Sequence, residues 1–476
     1  MKKILPVAVL AAMAGVNGAQ AVHVNSDGLG QVLLFPYYTT TGGQDTLINI
    51  ANTTADYKAV KVRILESLNS REVLDFNLYL SPFDHWSAAI SADPDGVGAA
   101  ITSGDNSCTV PLAISNGDTI PFRNFEYDED SIDGLERTKE GYIEIIEMGI
   151  VEVGTQNWPQ DIKHVNGVPG DCQDLDDSWN NGVWASDSQD GMDSATGGLY
   201  GYGVLIDVEE GTDATYDAVA LDNFFDTGVI FHTAPGSLDP GLDDGTPDYD
   251  VIIGNTVVSG SAAGRPGISA GLDATSAVLM VDTISNDYVL DSDLDAGTDW
   301  VVTFPTKRDY VVPFPAIDPF TDTWDPLESE SCEGFALAYV DREEGSPLAP
   351  PTSNDFSPQP DPDEPELFTF CAEANVLSFN SSNVLEAPQD RNGTNFDLEE
   401  GFENGWARLD FKDTDANGSS DRPSLPAGGT DFLGLPTIGF AVQKYVNGDL
   451  DGVLSNYAGS ITHKGSRSVL ASVSVP

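Results

Sequence analysis

Residues 31–90 read QVLLFPYYTTTGGQDTLINIANTTADYKAVKVRILESLNSREVLDFNLYLSPFDHWSAAI, and their periodicity is the best guide to the architecture. From Val60 to Ile64, apolar residues alternate with lysine and arginine, and a similar alternation of apolar and polar residues recurs from Leu74 to Leu80. A two-residue period is typical of β-strands with one apolar and one polar face. Turn-forming residues separate the runs at Gly42-Gly43 and Asn69-Ser70. The stretch therefore predicts consecutive antiparallel strands.

Strand-like runs continue along the rest of the chain. Residues 141–153, GYIEIIEMGIVEV, carry apolar side chains on both faces, which is typical of a central strand covered from both sides. Further strands are predicted at 251–259, 277–285 and 300–312. The sequence as a whole predicts an all-β fold with two sandwich-like domains of mainly antiparallel strands and long acidic loops.

The N-terminal residues predict export. Lys2 and Lys3 precede a short apolar run at 4–16, and Ala19-Gln20-Ala21 is a typical cleavage site, so residues 1–21 form a predicted signal peptide. No later stretch approaches the roughly 20 apolar residues that a membrane-spanning helix needs. We expect an exported protein of the cell surface or extracellular space, with the periplasm as the alternative.

The chain is too long for one ordinary hydrophobic core, because it has 476 residues. We predict an N-terminal β-sandwich domain at 22–210 and a C-terminal β-rich domain at 211–476. Within the second domain, residues 346–366 are rich in proline and acidic residues. This composition favours an extended, semi-rigid loop.

The charge of the chain is strongly acidic. It has 77 acidic and 21 basic residues, and its formal net charge at pH 7 is −56. Phosphate binding needs a basic surface, so the composition argues against a nucleic-acid partner. Two explanations stay open: adaptation to a salty medium, in which salt screens the self-repulsion, and binding of divalent cations by clustered carboxylates.

The four cysteines predict two disulfides, since an even number in an exported chain is typical of a disulfide framework. Three pairings are possible. We favour Cys108 with Cys172 and Cys332 with Cys371, because partners close in sequence need not cross a domain boundary. Metal binding is the competing interpretation, but the chain has no C-x-x-C motif and no nearby histidine pair.

One loop has the spacing of a calcium site. Residues 413–421 read DTDANGSSD, which matches the first nine positions of an EF-type loop and predicts Asp413, Asp415, Asn417 and Asp421 as ligands. The twelfth position, where a bidentate glutamate is expected, holds Ser424. The competing interpretation is a solvated acidic turn, because aspartate, asparagine and glycine are turn formers.

Catalytic patterns are sparse. Gly267-Ile268-Ser269-Ala270-Gly271 has the spacing of the nucleophile elbow of serine hydrolases, but that motif needs a strand before it and a helix after it. Only His463 follows the motif, and its neighbours do not mark it as catalytic. The aromatic side chains of acidic loops could stack on sugars, but we favour a role in holding loops against a sheet; these are Trp179, Trp184 and Trp324.

Four segments resemble a group of uncharacterised secreted, acidic, β-rich proteins of proteobacteria. They are GQVLLFPYYTTTGGQDTLINIANTT, NSREVLDFNLYLSPFDHW, DWVVTFPTKRDY and GLPTIGFAV, which begin at Gly30, Asn69, Asp299 and Gly434. The resemblance implies one architectural family along the mature chain. It carries no established activity and implies no catalytic or binding residue.

These patterns favour an exported structural or adhesive protein without catalytic activity, stabilised by calcium and bound to a cell-surface or extracellular matrix component. The first alternative is a secreted hydrolase of a polysaccharide or ester, which depends on the Ser269 motif and the loop tryptophans. The second is a calcium-dependent carbohydrate-binding protein. The chain offers no coherent catalytic set, and this observation favours the adhesive role.

Overall fold

The computed structural model describes residues 21–94, 96–127, 129–345, 368–414, 420–450 and 453–470. The predicted loop at 346–366 and the predicted signal peptide, apart from Ala21, lie outside these ranges. Strands account for 45% of the structure and helices for 10%, so the predicted all-β class is confirmed. None of the helices in the described ranges has the length and apolar character required to cross a bilayer.

The first two sheets contain eight and six strands. Their strands, in chain order, are β1 His23–Val24, β2 Val32–Thr39, β3 Gln44–Asn52, β4 Lys58–Glu66, β5 Glu72–Leu80, β6 His85–Ala92, β7 Ala99–Thr102, β8 Cys108–Val110, β9 Ile120–Pro121, β10 Glu140–Val151, β11 Met192–Asp193, β12 Leu199–Asp207, β13 Thr212–Asp217 and β14 Val219–Asp222. The larger sheet has the order β1-β14-β2-β10-β4-β5-β8, with β11 beside β10, and the smaller has the order β13-β12-β3-β6-β7-β9.

These two sheets form a sandwich around an apolar core. Val62 and Ile64 of β4 are completely buried and belong to one cluster with Ile50 of β3 and Trp86 of β6, which lie in the other sheet. Strand β10 pairs with β2 on one side and with β4 on the other, which confirms the predicted central strand. The two-residue period therefore places the apolar face of the larger sheet as predicted.

The charged face of the same sheet is also buried. Lys61 is completely buried, and its Nζ donates to Ala234 O at 2.9 Å and to Ser237 O at 3.3 Å. Lys58 Nζ lies 2.6 Å from Glu147 Oε1, and both side chains are inaccessible to solvent. The segment that follows β14 covers this face, so charges that the alternation places opposite the core are paired inside the protein.

The remaining strands, in chain order, are β15 Asp248–Ile253, β16 Thr256–Ser261, β17 Met280–Val281, β18 Thr283–Val289, β19 Ala296–Thr303, β20 Glu333–Asp341, β21 Phe368–Phe370, β22 Ala374–Phe379, β23 Gly393–Phe396, β24 Asn404–Asp410, β25 Leu425–Ala427, β26 Thr430–Phe432, β27 Leu435–Pro436, β28 Ile438–Leu450, β29 Val453–Thr462 and β30 Lys464–Ser466. Two five-stranded sheets have the orders β21-β20-β24-β18-β30 and β23-β22-β19-β28-β29. Their core includes Ile284 and Leu409 from one sheet and Trp300 and Leu377 from the other.

Short helices connect the strands. They are α1 Trp158–Ile162, α2 Cys172–Asn180, α3 Ala270–Leu279 and α4 Lys307–Val311, and one-turn 3₁₀ segments lie at Thr41–Gly43, Leu135–Lys139 and Leu242–Asp244. The strand predicted at 277–285 is wrong in its first part, because α3 runs to Leu279. The strand predicted at 300–312 ends at Thr303, and α4 occupies its last part. Tertiary packing overrides strand-like composition at both places.

The two sandwiches share their hydrophobic cores. Phe440 of β28 stacks on Tyr216 of β13 with ring centroids 4.4 Å apart. Conversely, Val32 and Leu34 of β2 belong to the core cluster that contains Trp300. Strands β13 and β14 follow the predicted boundary at residue 210 but pair with β12 and β2, which precede it. The boundary itself stays a prediction.

Candidate functional site

A small pocket rich in charged side chains lies where the larger sheet of the first sandwich meets α4. Its cavity has a volume of about 130 Å³. The charged side chains that line it are Arg63, Arg71, Arg308, Glu72, Glu126, Glu144, Asp243 and Asp309. Phe125 and Leu238 also line it, and each is about half exposed. We call this site the charged pocket.

Three neighbouring strands hold an ion-pair network on one wall of the charged pocket. Glu144 of β10 lies directly opposite Arg63 of β4, and their Oε2 and Nη1 atoms are 2.7 Å apart. Arg63 Nε also donates to Glu72 Oε2 at 3.0 Å. Burial opposes the charge of Arg63, but these two carboxylates raise its pKa above the usual value. Burial raises the pKa of Glu144 to about 7, although Arg63 acts in the opposite direction.

The turn between β4 and β5 positions Arg71 at the charged pocket. The buried carboxylate of Glu66 fixes this turn, because it accepts the backbone N–H groups of Leu68 at 2.7 Å, Asn69 at 3.0 Å and Arg71 at 2.9 Å. Arg137 binds the same carboxylate in a bidentate manner, at 2.8 and 2.9 Å. A carboxylate that receives this many hydrogen bonds holds the turn in one conformation.

Arg71 and Arg308 bring two positive charges to the charged pocket without a shared counterion. Arg71 Nη1 lies 2.7 Å from Glu126 Oε2, but its Nε is buried and has no hydrogen-bond partner. Arg308 Nη1 donates to the backbone oxygen of Ser70 at 3.2 Å. Burial lowers the pKa of Arg71, and the positive charge of Arg308 lowers it further. The two guanidinium groups therefore repel each other, although the carboxylates of Glu126 and Asp130 oppose the effect on the pKa of Arg71.

Two aspartates also line the charged pocket. Asp309 belongs to α4 and Asp243 to the 3₁₀ segment after β14. Although Asp309 is open to solvent on one side, the surrounding protein desolvates its carboxyl group and, together with Asp243, raises its pKa to about 6. The lining of the pocket thus combines carboxylate acceptors with guanidinium donors.

The carboxylates of the charged pocket do not converge like a metal centre. Within the described ranges, only Glu330, Cys332 and Cys371 form a trio of His, Cys, Asp or Glu side chains whose ligand atoms all lie within 4.8 Å of one another. Both of those sulfurs belong to a disulfide. The acids of the pocket are instead spread around its wall, which suits recognition of a ligand with several hydroxyl groups.

The predicted calcium loop lies only partly in the described ranges, because Asp415 and Asn417 fall outside them. Of the other predicted ligands, Asp413 is buried and Asp421 is exposed. The backbone N–H of Thr414 donates to Asp421 Oδ1 at 2.8 Å. Either interpretation, calcium site or solvated turn, is compatible with this bond at the base of the loop, so the calcium site stays a prediction.

Calcium should raise the melting temperature of the protein by about 2 °C or more relative to EDTA, because a ligand that binds only the folded state stabilises it. The measurement is a thermal melt in calcium, in magnesium and in EDTA. Asp415→Ala should remove the calcium effect, whereas Asp293→Ala, in another acidic turn, should retain it. Identical melting temperatures in calcium and EDTA would contradict the prediction.

Both predicted disulfides are present, Cys108–Cys172 and Cys332–Cys371. The first ties the start of α2 to strand β8. The bond therefore anchors the polar excursion after β10 to the edge of the larger sheet, since β8 is the last strand of that sheet.

The loop tryptophans pack against the protein. Trp184 is almost fully buried, and its ring stacks on Trp158 with centroids 4.5 Å apart. Trp179 Nε1 donates to Tyr79 OH at 2.8 Å, so it too holds the excursion against the sheet. Trp324 donates to Asp130 Oδ1 at 3.2 Å. These contacts agree with a role in holding loops.

The residues of the hydrolase-like motif have structural contacts. Ser269 is the N-cap of α3: its Oγ accepts the Leu272 N–H at 3.0 Å and donates to Asp243 O at 2.7 Å. His463 Nε2 donates to Val301 O at 2.9 Å, and its Nδ1 lies 2.9 Å from Asn286 Nδ2. Ser269 and His463 thus bond to other groups, and no nucleophile–base contact joins them among the described hydrogen bonds.

The chain matches no protein-family model, no curated protein and no solved structure. The candidate site is therefore characterised by its own residues. Sequence patterns do not indicate the charged pocket, because its walls come from segments around residues 63–72, 125, 144, 238–243 and 308. The one available signal is the TKRDY run, in which Arg308 and Asp309 stand side by side.

Proposed function

We propose that the protein is an exported, non-catalytic adhesive protein that binds a carboxylate-bearing carbohydrate at the charged pocket. The observation that carries this proposal is the pair of guanidinium groups, Arg71 and Arg308, which share one pocket without a shared counterion. The predicted signal peptide and the two disulfides support export.

A carboxylate on the ligand would relieve the repulsion between these arginines. Within the described part of the chain, Arg71 Nε is buried without a hydrogen-bond partner, and the side chain of Arg308 donates only to backbone oxygens. Guanidinium groups bind carboxylates through short, charge-assisted hydrogen bonds. The lining holds five carboxylates and three arginines, so an anionic group would bind only through direct pairing with Arg71 and Arg308, which favours a specific partner over general attraction of anions.

The acids and the aromatic ring of the charged pocket favour a sugar over a simple anion. Glu72, Asp243 and Asp309 supply acceptors for hydroxyl groups. Phe125 supplies a half-exposed aromatic face at the same pocket. Because the cavity is small, about 130 Å³, only one end of a polymer chain or one of its side units enters it. A uronic acid unit combines the required carboxylate with hydroxyl groups.

Hydrolysis of the same polymer is the second candidate function. Glu144 and Asp309 favour it, because their pKa values are raised to about 7 and about 6, within the range in which a carboxyl group can act as a general acid. Against it, Glu144 Oε2 is held by Arg63 at 2.7 Å, which ties the carboxylate to a structural ion pair.

Titration calorimetry with trigalacturonate tests the binding proposal. We expect the acid to bind the wild type saturably. Its methyl ester should bind the wild type about tenfold more weakly, and the acid should bind Arg308→Gln about tenfold more weakly, because a charge-assisted hydrogen bond is lost in each case. Arg408→Gln, at an exposed position on β24, should bind like the wild type. Equal affinity for acid and ester, or no binding at all, would contradict the proposal. Release of reducing ends from trigalacturonate would favour the hydrolase.

A further inference from the structure

A second cavity, which shares no lining residue with the charged pocket, is mostly apolar. It has a volume of about 550 Å³, and Val24, Val219, Ile252, Leu279, Ile284 and Ile438 are among the residues that line it. Its size falls in the range of about 300–1,000 Å³ that is typical of small-molecule sites. The strands β1, β14, β18 and β28, the hairpin β15–β16 and the end of α3 form its walls.

A neighbouring cavity of about 600 Å³ shares Val24, Val219 and Thr462 with the first. Leu29 and Tyr200 add apolar surface in the second cavity. We call the two cavities together the apolar groove. Because the two cavities adjoin at these shared residues, we consider a chain-like ligand that reaches from one to the other.

One guanidinium group faces the apolar groove. Arg467 lines the first cavity, where its Nε donates to Met280 O at 2.9 Å and its Nη2 to Val278 O at 3.0 Å. Both acceptors are backbone oxygens at the end of α3. Burial lowers the pKa of Arg467, and no carboxylate opposes this effect. Among the described residues Arg467 forms no ion pair, so this partly buried guanidinium lacks the carboxylate that is its usual partner.

The other polar groups of the groove set its direction. His463 also lines the first cavity, but burial lowers its pKa to about 4, so it is neutral at pH 7 and does not compete with Arg467 for an anion. The second cavity has Asp27 and Asp217 in its lining. An anionic group is therefore attracted to the Arg467 end and repelled from the other end.

We infer that the apolar groove binds a long-chain carboxylate, a free fatty acid, with its head group on Arg467 and its alkyl chain along Val24, Val219 and Ile438. The carboxylate would supply a charged partner for Arg467, and the alkyl chain would cover the partly exposed side chains of Val24 and Val219 and contact Ile438. This site is separate from the charged pocket and does not depend on the proposed function.

Equilibrium dialysis of radiolabelled dodecanoate and its methyl ester tests the inference without any variant. The acid should bind saturably and about tenfold more tightly than the ester, since only the acid pairs with Arg467. Trigalacturonate should not displace it. Equal affinities for acid and ester, or no saturable binding of the acid, would overturn the inference.

Variants separate the head group from the groove. Arg467→Gln should abolish the preference for the acid, Arg467→Lys should retain it, and Arg408→Gln should bind like the wild type. Because Arg467 also contacts α3, its loss could disturb folding, so Ile252→Trp provides a second test. Ile252 is about half exposed on β15, and a larger side chain there should weaken binding of acid and ester equally. An unchanged acid preference in folded Arg467→Gln would overturn the assignment of Arg467.

Discussion

Replacing Arg137 with alanine should lower the free energy of unfolding by about 3–5 kcal/mol, because it leaves buried carboxylates without their partner. Arg137 is almost fully buried and bonds Glu66 Oε2 at 2.8 Å, Glu66 Oε1 at 2.9 Å and Asp130 Oδ2 at 2.6 Å. Its guanidinium also lies 4.2 Å from the ring centroid of Tyr127. No other arginine or lysine forms an ion pair with Glu66 in the described part of the chain.

Urea denaturation measures this loss, as a lower midpoint with an unchanged slope. Arg137→Met keeps much of the side-chain volume and should lose nearly as much stability, which assigns the effect to charge. Arg342→Ala is the control, because Arg342 pairs with Glu343 on the surface, where both side chains are largely exposed. If Arg137→Ala lost no more stability than this control, the buried network would not hold the turn that carries Arg71.

Replacing Glu373 with glutamine should stabilise the protein at alkaline pH by about 2–4 kcal/mol. Glu373 is 1% exposed, and neither of its carboxylate oxygens has a hydrogen-bond partner in the described structure. Burial raises its pKa to about 8, although the ammonium group of Lys307 acts in the opposite direction. Ionising such a carboxyl group inside the protein costs free energy.

The sign of the pH dependence follows from the raised pKa. In the unfolded chain a glutamate loses its proton near pH 4.3, whereas folded Glu373 retains it until pH is about 8. The free energy of unfolding should therefore fall as pH rises from about 4.3 to about 8. Below this range Glu373 is protonated in both states and should not affect the pH dependence. Glutamine cannot ionise, so the variant should gain most near pH 9 and little near pH 4.

Denaturation midpoints across this pH range, for the wild type and Glu373→Gln, test the prediction. Glu343→Gln is the matched control, since Glu343 is exposed and its substitution should leave the pH profile unchanged. Parallel pH profiles for the wild type and Glu373→Gln would contradict the buried, protonated state. A variant that is less stable at every pH would indicate that the carboxylate has a stabilising partner.

Much of the secondary structure was predictable from the sequence. The alternation from Val60 to Ile64 and the doubly apolar run at 141–153 both correspond to strands, β4 and β10. The two disulfides match the pairing that the sequence favoured among three. Errors occur at 251–259, where one predicted strand is the hairpin of β15 and β16, and at 277–285 and 300–312, where strand-like composition includes the end of α3 and all of α4. Short apolar runs do not distinguish a strand from a buried helix.

The candidate site was not predictable in the same way. The sequence around Arg63 predicts only a charged residue on a strand. Its ion-pair partner Glu144 lies opposite Arg63 because β10 pairs with β4, and neighbouring residues do not indicate this pairing. Arg71 and Arg308 are more than two hundred residues apart, yet both line the charged pocket. Ser269 illustrates the reverse case, because its motif suggests a nucleophile and its contacts are those of a helix N-cap.

The all-β class and the central strand follow from side-chain periodicity, and the cysteine pairs are those favoured from spacing along the chain. The burial of the charged face of the larger sheet, the cores shared by the two sandwiches, the charged pocket and the apolar groove become visible only in the folded chain. Those features depend on contacts between distant segments. The burial that raises the pKa of Glu144 and lowers the pKa of Arg467 arises only when those segments pack together.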